Sequence, residues 1–128
     1  MAGVSDVSTT LTEIQSKLES DNSIDAVLAL NPDIAMAARD AVQGANSEAK
    51  VATFDLSGDV VKAIEDGSIL FAVDQQQYLQ GYLPVVFLTL NKTNLNTVGG
   101  GLPVLTGPGF VTKENAAEIE KLAEAGTR

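Results

Sequence analysis

Apolar positions along this chain switch between a helical rhythm and short unbroken runs. After Ser8-Thr9-Thr10, the residues Leu11, Ile14 and Leu18 recur at three-to-four spacing. That spacing predicts an amphipathic helix with a hydroxyl cap, ended by the polar turn Ser20-Asp21-Asn22-Ser23. Ile24 to Leu30 is almost continuously apolar, the pattern of a strand covered on both faces. Asn31-Pro32-Asp33 suits the start of a second helix, which runs through Ile34, Ala37, Ala38 and Val42 to a C-cap at Gly44. The unit then repeats. Val51 to Phe54 reads as a strand closed by Asp55, Val60, Val61 and Ile64 as a short helix stopped at Gly67, and Ile69 to Val73 as the next strand. Gln76 to about Asn91 reads as a helix that Pro84 kinks or delays.

Beyond it, Asn91 to Gly101 is a polar connection ending in a triple glycine, and Leu102 to Leu105 forms a last short strand in this reading. Thr106-Gly107-Pro108-Gly109 turns the chain, and Thr112 caps a final helix with Glu114 and Asn115 early and Lys121 late, as the helix dipole prefers. Strands alternating with helices predict an α/β fold, a doubly wound parallel sheet with helices on both faces. The length of 128 residues predicts a single domain, residues 1–128.

Right-handed crossovers place the strand-to-helix loops on one edge of such a sheet, where ligands sit outside the carboxyl ends of the strands. Asn31, Asp55 and Gln75 each fall just past an apolar strand, so the fold gathers them there. Their chemistry suits a polyol: a carboxylate accepts from vicinal hydroxyls, and amides donate and accept together. Each also has a plainer role. Asn31 before Pro32 is a natural helix N-cap, Asp55 a turn residue, and Gln75 part of a polar helix start.

Composition narrows the function further. Hydrophobic residues at 45% and charged residues at 20% describe a globular chain. The net charge of −9 and the lack of a basic patch argue against nucleic-acid partners. Without Cys or His there is no thiolate nucleophile, no disulfide, little scope for zinc and no usual general base, so neither a cofactor nor a metal is expected. Aromatics are 5% and Trp is absent, so a cleft built from this chain alone is poor in stacking surfaces. Met1 to Asp6 has neither the basic segment nor the apolar core of a signal peptide, and Leu83 to Leu90 is too short to span a bilayer.

The polar positions carry a resemblance. Ala26-Val27-Leu28-Ala29-Leu30-Asn31, then Phe54-Asp55, then Gln75 ahead of Gly81, with Thr106-Gly107-Pro108 and Val111-Thr112-Lys113-Glu114-Asn115 near the end, resemble the C-terminal lobe of bacterial sugar-binding proteins of the ribose-binding type. The resemblance covers nearly the whole chain and implies one lobe of a periplasmic binding protein type 1 fold. It implies a monosaccharide or related polyol as ligand, contacted by Asn31, Asp55 and Gln75. It also implies an N-terminal lobe that closes on the ligand, ABC importer membrane subunits as partners, and an extracytoplasmic location whose signal lies upstream. On this reading Met1 looks like a start codon added to a fragment. Asp6 falls where relatives often place another contact and is a further candidate. The strand that precedes Ile24 to Leu30 in relatives is missing, which leaves an open edge and predicts a homo-oligomer.

Two other readings stand beside it. A ligand-sensing core of the lactose-repressor type shares the fold, although no helix-turn-helix or basic segment is present. A receiver-like domain phosphorylated on Asp25 or Asp55 would need an early acidic pair and a late lysine at the same edge, and neither is evident.

Overall fold

In the computed structural model, which describes residues 6–128, the chain alternates helix and strand from Val7 to Asn94. The order is α1 (Val7–Ser20), β1 (Ala26–Ala29), α2 (Pro32–Gly44), β2 (Lys50–Phe54), α3 (Gly58–Asp66), β3 (Phe71–Asp74) and α4 (Gln77–Asn94). A 3-10 turn (Gly99–Gly101), β4 (Gly109–Val111) and α5 (Ala116–Glu124) follow. The sheet order is β1-β2-β3-β4. The first three strands are parallel, with Ala29 opposite Thr53 and Thr53 opposite Ala72, and β4 returns antiparallel with Gly109 opposite Asp74.

Local chemistry accounts for the element ends. Ser57 Oγ accepts from the Val60 N–H at 3.2 Å and starts α3. Gly67 ends it at φ 86°, a left-handed conformation that glycine adopts without steric cost. Replacing Ser57 by Ala should lower stability by about 1 kcal/mol, read as a shift in the urea midpoint at constant slope.

The core gathers on one side of the sheet. Ile14 and Leu18 of α1, Ala38 and Ala41 of α2, and Val60 and Ile64 of α3 pack with Val51, Ala72 and Val111 from the strands and Ala116 of α5. The α/β class and the parallel pairing are those expected. The expected cover on both faces is found on one face only among the described residues: Leu28 is 57% exposed, and Phe110, edge-on to Phe71 at 5.9 Å, is 54% exposed. The run Ile24 to Leu30 therefore belongs to an edge strand with one open face, and its apolar character does not report burial.

Four local expectations are corrected. No strand forms over Leu102 to Leu105; pairing with β3 falls to Gly109–Val111 instead. The first helix is capped by the Asp6 carboxylate, which accepts from the Ser8 N–H at 2.9 Å, and not by a hydroxyl. The last helix starts after Asn115, whose side chain accepts from the Thr112 N–H at 2.9 Å, so Thr112 is not its cap. The second helix includes Gly44 and is capped by Ala45. Helix α4 continues through Pro84 and has no fully buried residue: Leu79, Leu83 and Phe87 are half-buried beside Val104, while Tyr78, Tyr82, Val85 and Leu88 are exposed.

Candidate functional site

The carboxyl ends of β1, β2 and β3 point to one edge, and the loops leaving them carry the candidate residues. Asp55 follows β2. Its N–H donates to the Val73 carbonyl at 2.9 Å, prolonging the pairing with β3 by one step. At that point the chain turns through a left-handed conformation, φ 67°, which aspartate tolerates better than most residues. The half-buried carboxylate is thereby turned to the edge, and its Oδ1 accepts from Gln75 Nε2 at 2.8 Å. Two residues that are twenty positions apart in the chain thus meet side chain to side chain.

The Gln75 side chain is exposed, and its backbone is held from two directions. Its carbonyl accepts from Thr106 Oγ1 at 2.9 Å and from Gln80 Nε2 at 3.0 Å. Gln76 follows in a left-handed conformation, φ 58°, and its side-chain amide donates to the Thr106 carbonyl. Gly107 lies against this junction: a Cβ there would stand 3.0 Å from the Asp74 carbonyl oxygen. The chain leaves the sheet and re-enters it here, through residues 75–76 and 106–108, and a polar clasp ties the two passages.

Asn31 sits past the end of β1, as expected, but much of its polarity is already engaged. Its Oδ1 accepts from the Ile34 N–H at 2.9 Å as the N-cap of α2, and its carbonyl accepts from Thr53 Oγ1 at 3.4 Å. The side-chain amide keeps donors for a ligand. Asp6 caps α1; the Ser8 and Thr9 hydroxyls and the Ser8 N–H hold its carboxyl below the usual range. Among the described residues the Asp6 carboxylate is hydrogen-bonded to Ser8 and Thr9, and to none of Asn31, Asp55 and Gln75. The structure therefore brings Asp55 and Gln75 into direct contact and sets Asn31 on the neighbouring strand end.

Sequence reasoning passed over Thr106, Gln76, Gln80 and Asp74. The run Gln75-Gln76-Gln77 looked like one polar helix start, yet its first two members point to different partners. Asp74, one position past the expected strand Ile69 to Val73, drew no reading from the sequence, although it is a fully buried carboxylate. A charge inside a strand otherwise made of Phe71, Ala72 and Val73 was the available signal.

What the edge can do is bind. A carboxylate and two amides present acceptors and donors on one open edge, a set suited to hydroxyl groups.

Known proteins of similar sequence and shape agree on the family. A family model described as the periplasmic binding protein domain matches residues 2–90. The ribose import binding protein RbsB of Haemophilus influenzae is 36% identical over 69 residues, which are 54% of this chain and 24% of that protein. A carbohydrate transporter from Acidothermus cellulolyticus 11B, solved in complex with myo-inositol, is 48% identical with a TM-score of 0.90, covering 96% of this chain and 43% of that one. The Caulobacter myo-inositol binding protein, also solved with myo-inositol, is 26% identical with a TM-score of 0.74, covering 93% and 41%. The chain spans less than half the length of each of these relatives. Matched over most of its length, with a parallel sheet whose carboxyl edge carries Asp55 and Gln75, the chain belongs to the periplasmic binding protein domain family.

Proposed function

We propose that this chain is the C-terminal lobe of the solute receptor of an ABC-type sugar importer, a capture device without catalysis, and that its ligand is a cyclic polyol or monosaccharide, with myo-inositol the first to test. The observation that carries this reading is the Asp55–Gln75 hydrogen bond at the carboxyl edge. It stands in a fold shared at 48% identity with a transporter solved around myo-inositol. On this reading an incoming hydroxyl pair replaces or joins the Gln75 amide at the Asp55 carboxylate, and Asn31 adds its remaining donors. Asp6, at the head of α1, is the more peripheral contact. A second, N-terminal lobe closes over the edge and covers the apolar surface of α4, where Tyr78, Tyr82, Val85 and Leu88 are all exposed. The partners are the importer's membrane subunits, and the site of action is extracytoplasmic. A lactose-repressor-type sensor gains nothing from the relatives, which are named for sugar binding and transport.

Titration calorimetry of the two-lobed protein with myo-inositol, ribose, xylose and arabinose tests the reading, and heats no larger than dilution with all of them would sink it. Within it, Asp55→Ala should weaken binding by about 1.5–3 kcal/mol, and Gln75→Ala by about 0.5–1.5 kcal/mol, because hydrogen bonds to a charged acceptor are worth more. Gln75→Ala should leave the Tm of the unliganded protein nearly unchanged, and Asp55→Ala should lower it slightly, because alanine fits the left-handed φ at position 55 less well than aspartate. Asn31→Ala should differ from both: besides losing affinity it removes the α2 cap and about 1 kcal/mol of stability. Unfolding of the lobe by Asp55→Ala would reassign that residue to a structural role.

A further inference from the structure

Asp74 ends β3 with its side chain fully buried, and it is a charge the binding edge does not itself present to solvent. Its two oxygens are divided. Oδ1 accepts from the Gln76 N–H at 2.7 Å, and Oδ2 accepts from Arg128 Nε at 2.6 Å. The first bond holds Gln76 in its left-handed turn, a conformation that a residue with a Cβ adopts only when its surroundings hold it there. Gln75, whose amide meets Asp55, lies between this bond and the strand. The second bond reaches 54 positions along the sequence. Arg128 approaches over β4 at Gly109, the residue paired with Asp74, where even an added Cβ would stand 3.4 Å from the guanidinium.

We propose that Arg128 is a positioning residue for the ligand site: by neutralising the buried Asp74 carboxylate it keeps that carboxylate on the Gln76 N–H and so holds Gln75 aimed at Asp55. Without Arg128 the carboxylate is a buried charge with one side unpaired. It must then turn toward water or another donor, and that turn weakens its hold on the Gln76 N–H. Gln75 then loses its fixed direction, although among the described residues Arg128 is hydrogen-bonded to Asp74 and to neither Gln75 nor Asp55. The pair also couples the end of the chain described here to the junction where α4 departs, so an element far from the edge in sequence tunes it.

The first test needs no ligand. In the 128-residue chain, the Gln75 side-chain amide signal in a nitrogen–proton correlation spectrum should move in Arg128→Ala toward its position in Asp55→Ala, while signals of β2 and α3 stay in place. An unmoved Gln75 signal overturns the proposal. So does a change spread through the core, which would mark the pair as general support. In the Asp74→Asn background, where no buried charge needs a partner, Arg128→Ala should leave the Gln75 signal where Asp74→Asn alone puts it; this arm decides the matter if the single Arg128 variant does not fold, and a further shift there counts against the proposal. The affinity test rests on the polyol-binding reading. In the two-lobed protein Arg128→Ala should raise the Kd for myo-inositol about fivefold when Gln75 is present, and less than about twofold in Gln75→Ala, since an effect routed through one neutral hydrogen bond disappears with it. Equal losses in both backgrounds overturn the inference. Absence of binding by the unmutated two-lobed protein, with the Gln75 signal still responding to Arg128, would instead count against the polyol reading alone.

Discussion

On its own, the 128-residue chain should bind myo-inositol about a thousandfold or more weakly than the two-lobed protein, a difference of at least ~4 kcal/mol. The edge offers the Asp55 carboxylate and the Gln75 and Asn31 amides, and two of these three are exposed. Hydrogen bonds made in competition with water net about 1 kcal/mol each, rising to about 1.5–3 at a charge, whereas association costs at least ~4 kcal/mol in lost freedom. The open edge alone therefore comes out near balance. On the two-lobed reading proposed above, a closing lobe would bury the other side of the ligand and exclude water from the same bonds, as sites that enclose most of their ligand do. The chain also contributes little stacking surface: Tyr78 and Tyr82 stack on each other on α4, ring centres 6.4 Å apart. Side-by-side titration calorimetry decides this, and a micromolar response from the lone chain would overturn it.

The lone chain should also self-associate, and Leu28→Lys should abolish the association. Among the described residues β1 pairs only with β2, so its outer row of N–H and C=O groups has no partner there. On the same open side Leu28 is 57% and Leu30 71% exposed, and Asp25 is the one charge beside the run. An edge of this kind is a template for strand pairing, and a second copy supplies the matching strand about a two-fold axis. A lysine at position 28 places a charge in the paired region without touching the core on the opposite face. Sedimentation velocity at micromolar concentration should show a dimer for the unmodified chain and a monomer for Leu28→Lys. Leu88→Lys, on α4, should leave the dimer intact. A monomeric unmodified chain, or a dimer indifferent to Leu28→Lys, would refute the edge argument.

Much of the site was legible before the structure because it rests on interactions between near neighbours. Asn31-Pro32 announces a helix start, and the Asn31 bond to the Ile34 N–H spans three positions. Gly67 announces a left-handed stop. The period-of-strand runs ending at Phe54 and Val73 set Asp55 and Gln75 past neighbouring parallel strands, and the contact between them follows from that topology. Where the sequence misled, two outcomes were locally equivalent. A hydroxyl at Ser8 and a carboxylate at Asp6 both suit a cap, and the carboxylate takes it with bonds to the Ser8 N–H and to two hydroxyls. Leu102 to Leu105 and Gly109 to Val111 both allow a short strand, and the one whose Gly109 can lie opposite Asp74 pairs with β3.

The amino-acid sequence by itself thus determined the alternation of elements, the parallel α/β class and the identity of the edge residues, since periodicity and capping act over a few positions of chain. Only the tertiary structure decided which apolar faces are covered. Ile24 to Leu30 and the faces of α4 are as apolar as the true core, but hydrophobicity is non-directional and does not name its partner. The same holds for Asp74 and Arg128: one oxygen of the buried carboxylate has a local partner in the Gln76 N–H, but its charge is met by a guanidinium from 54 positions away, and nothing local to either residue records that distance.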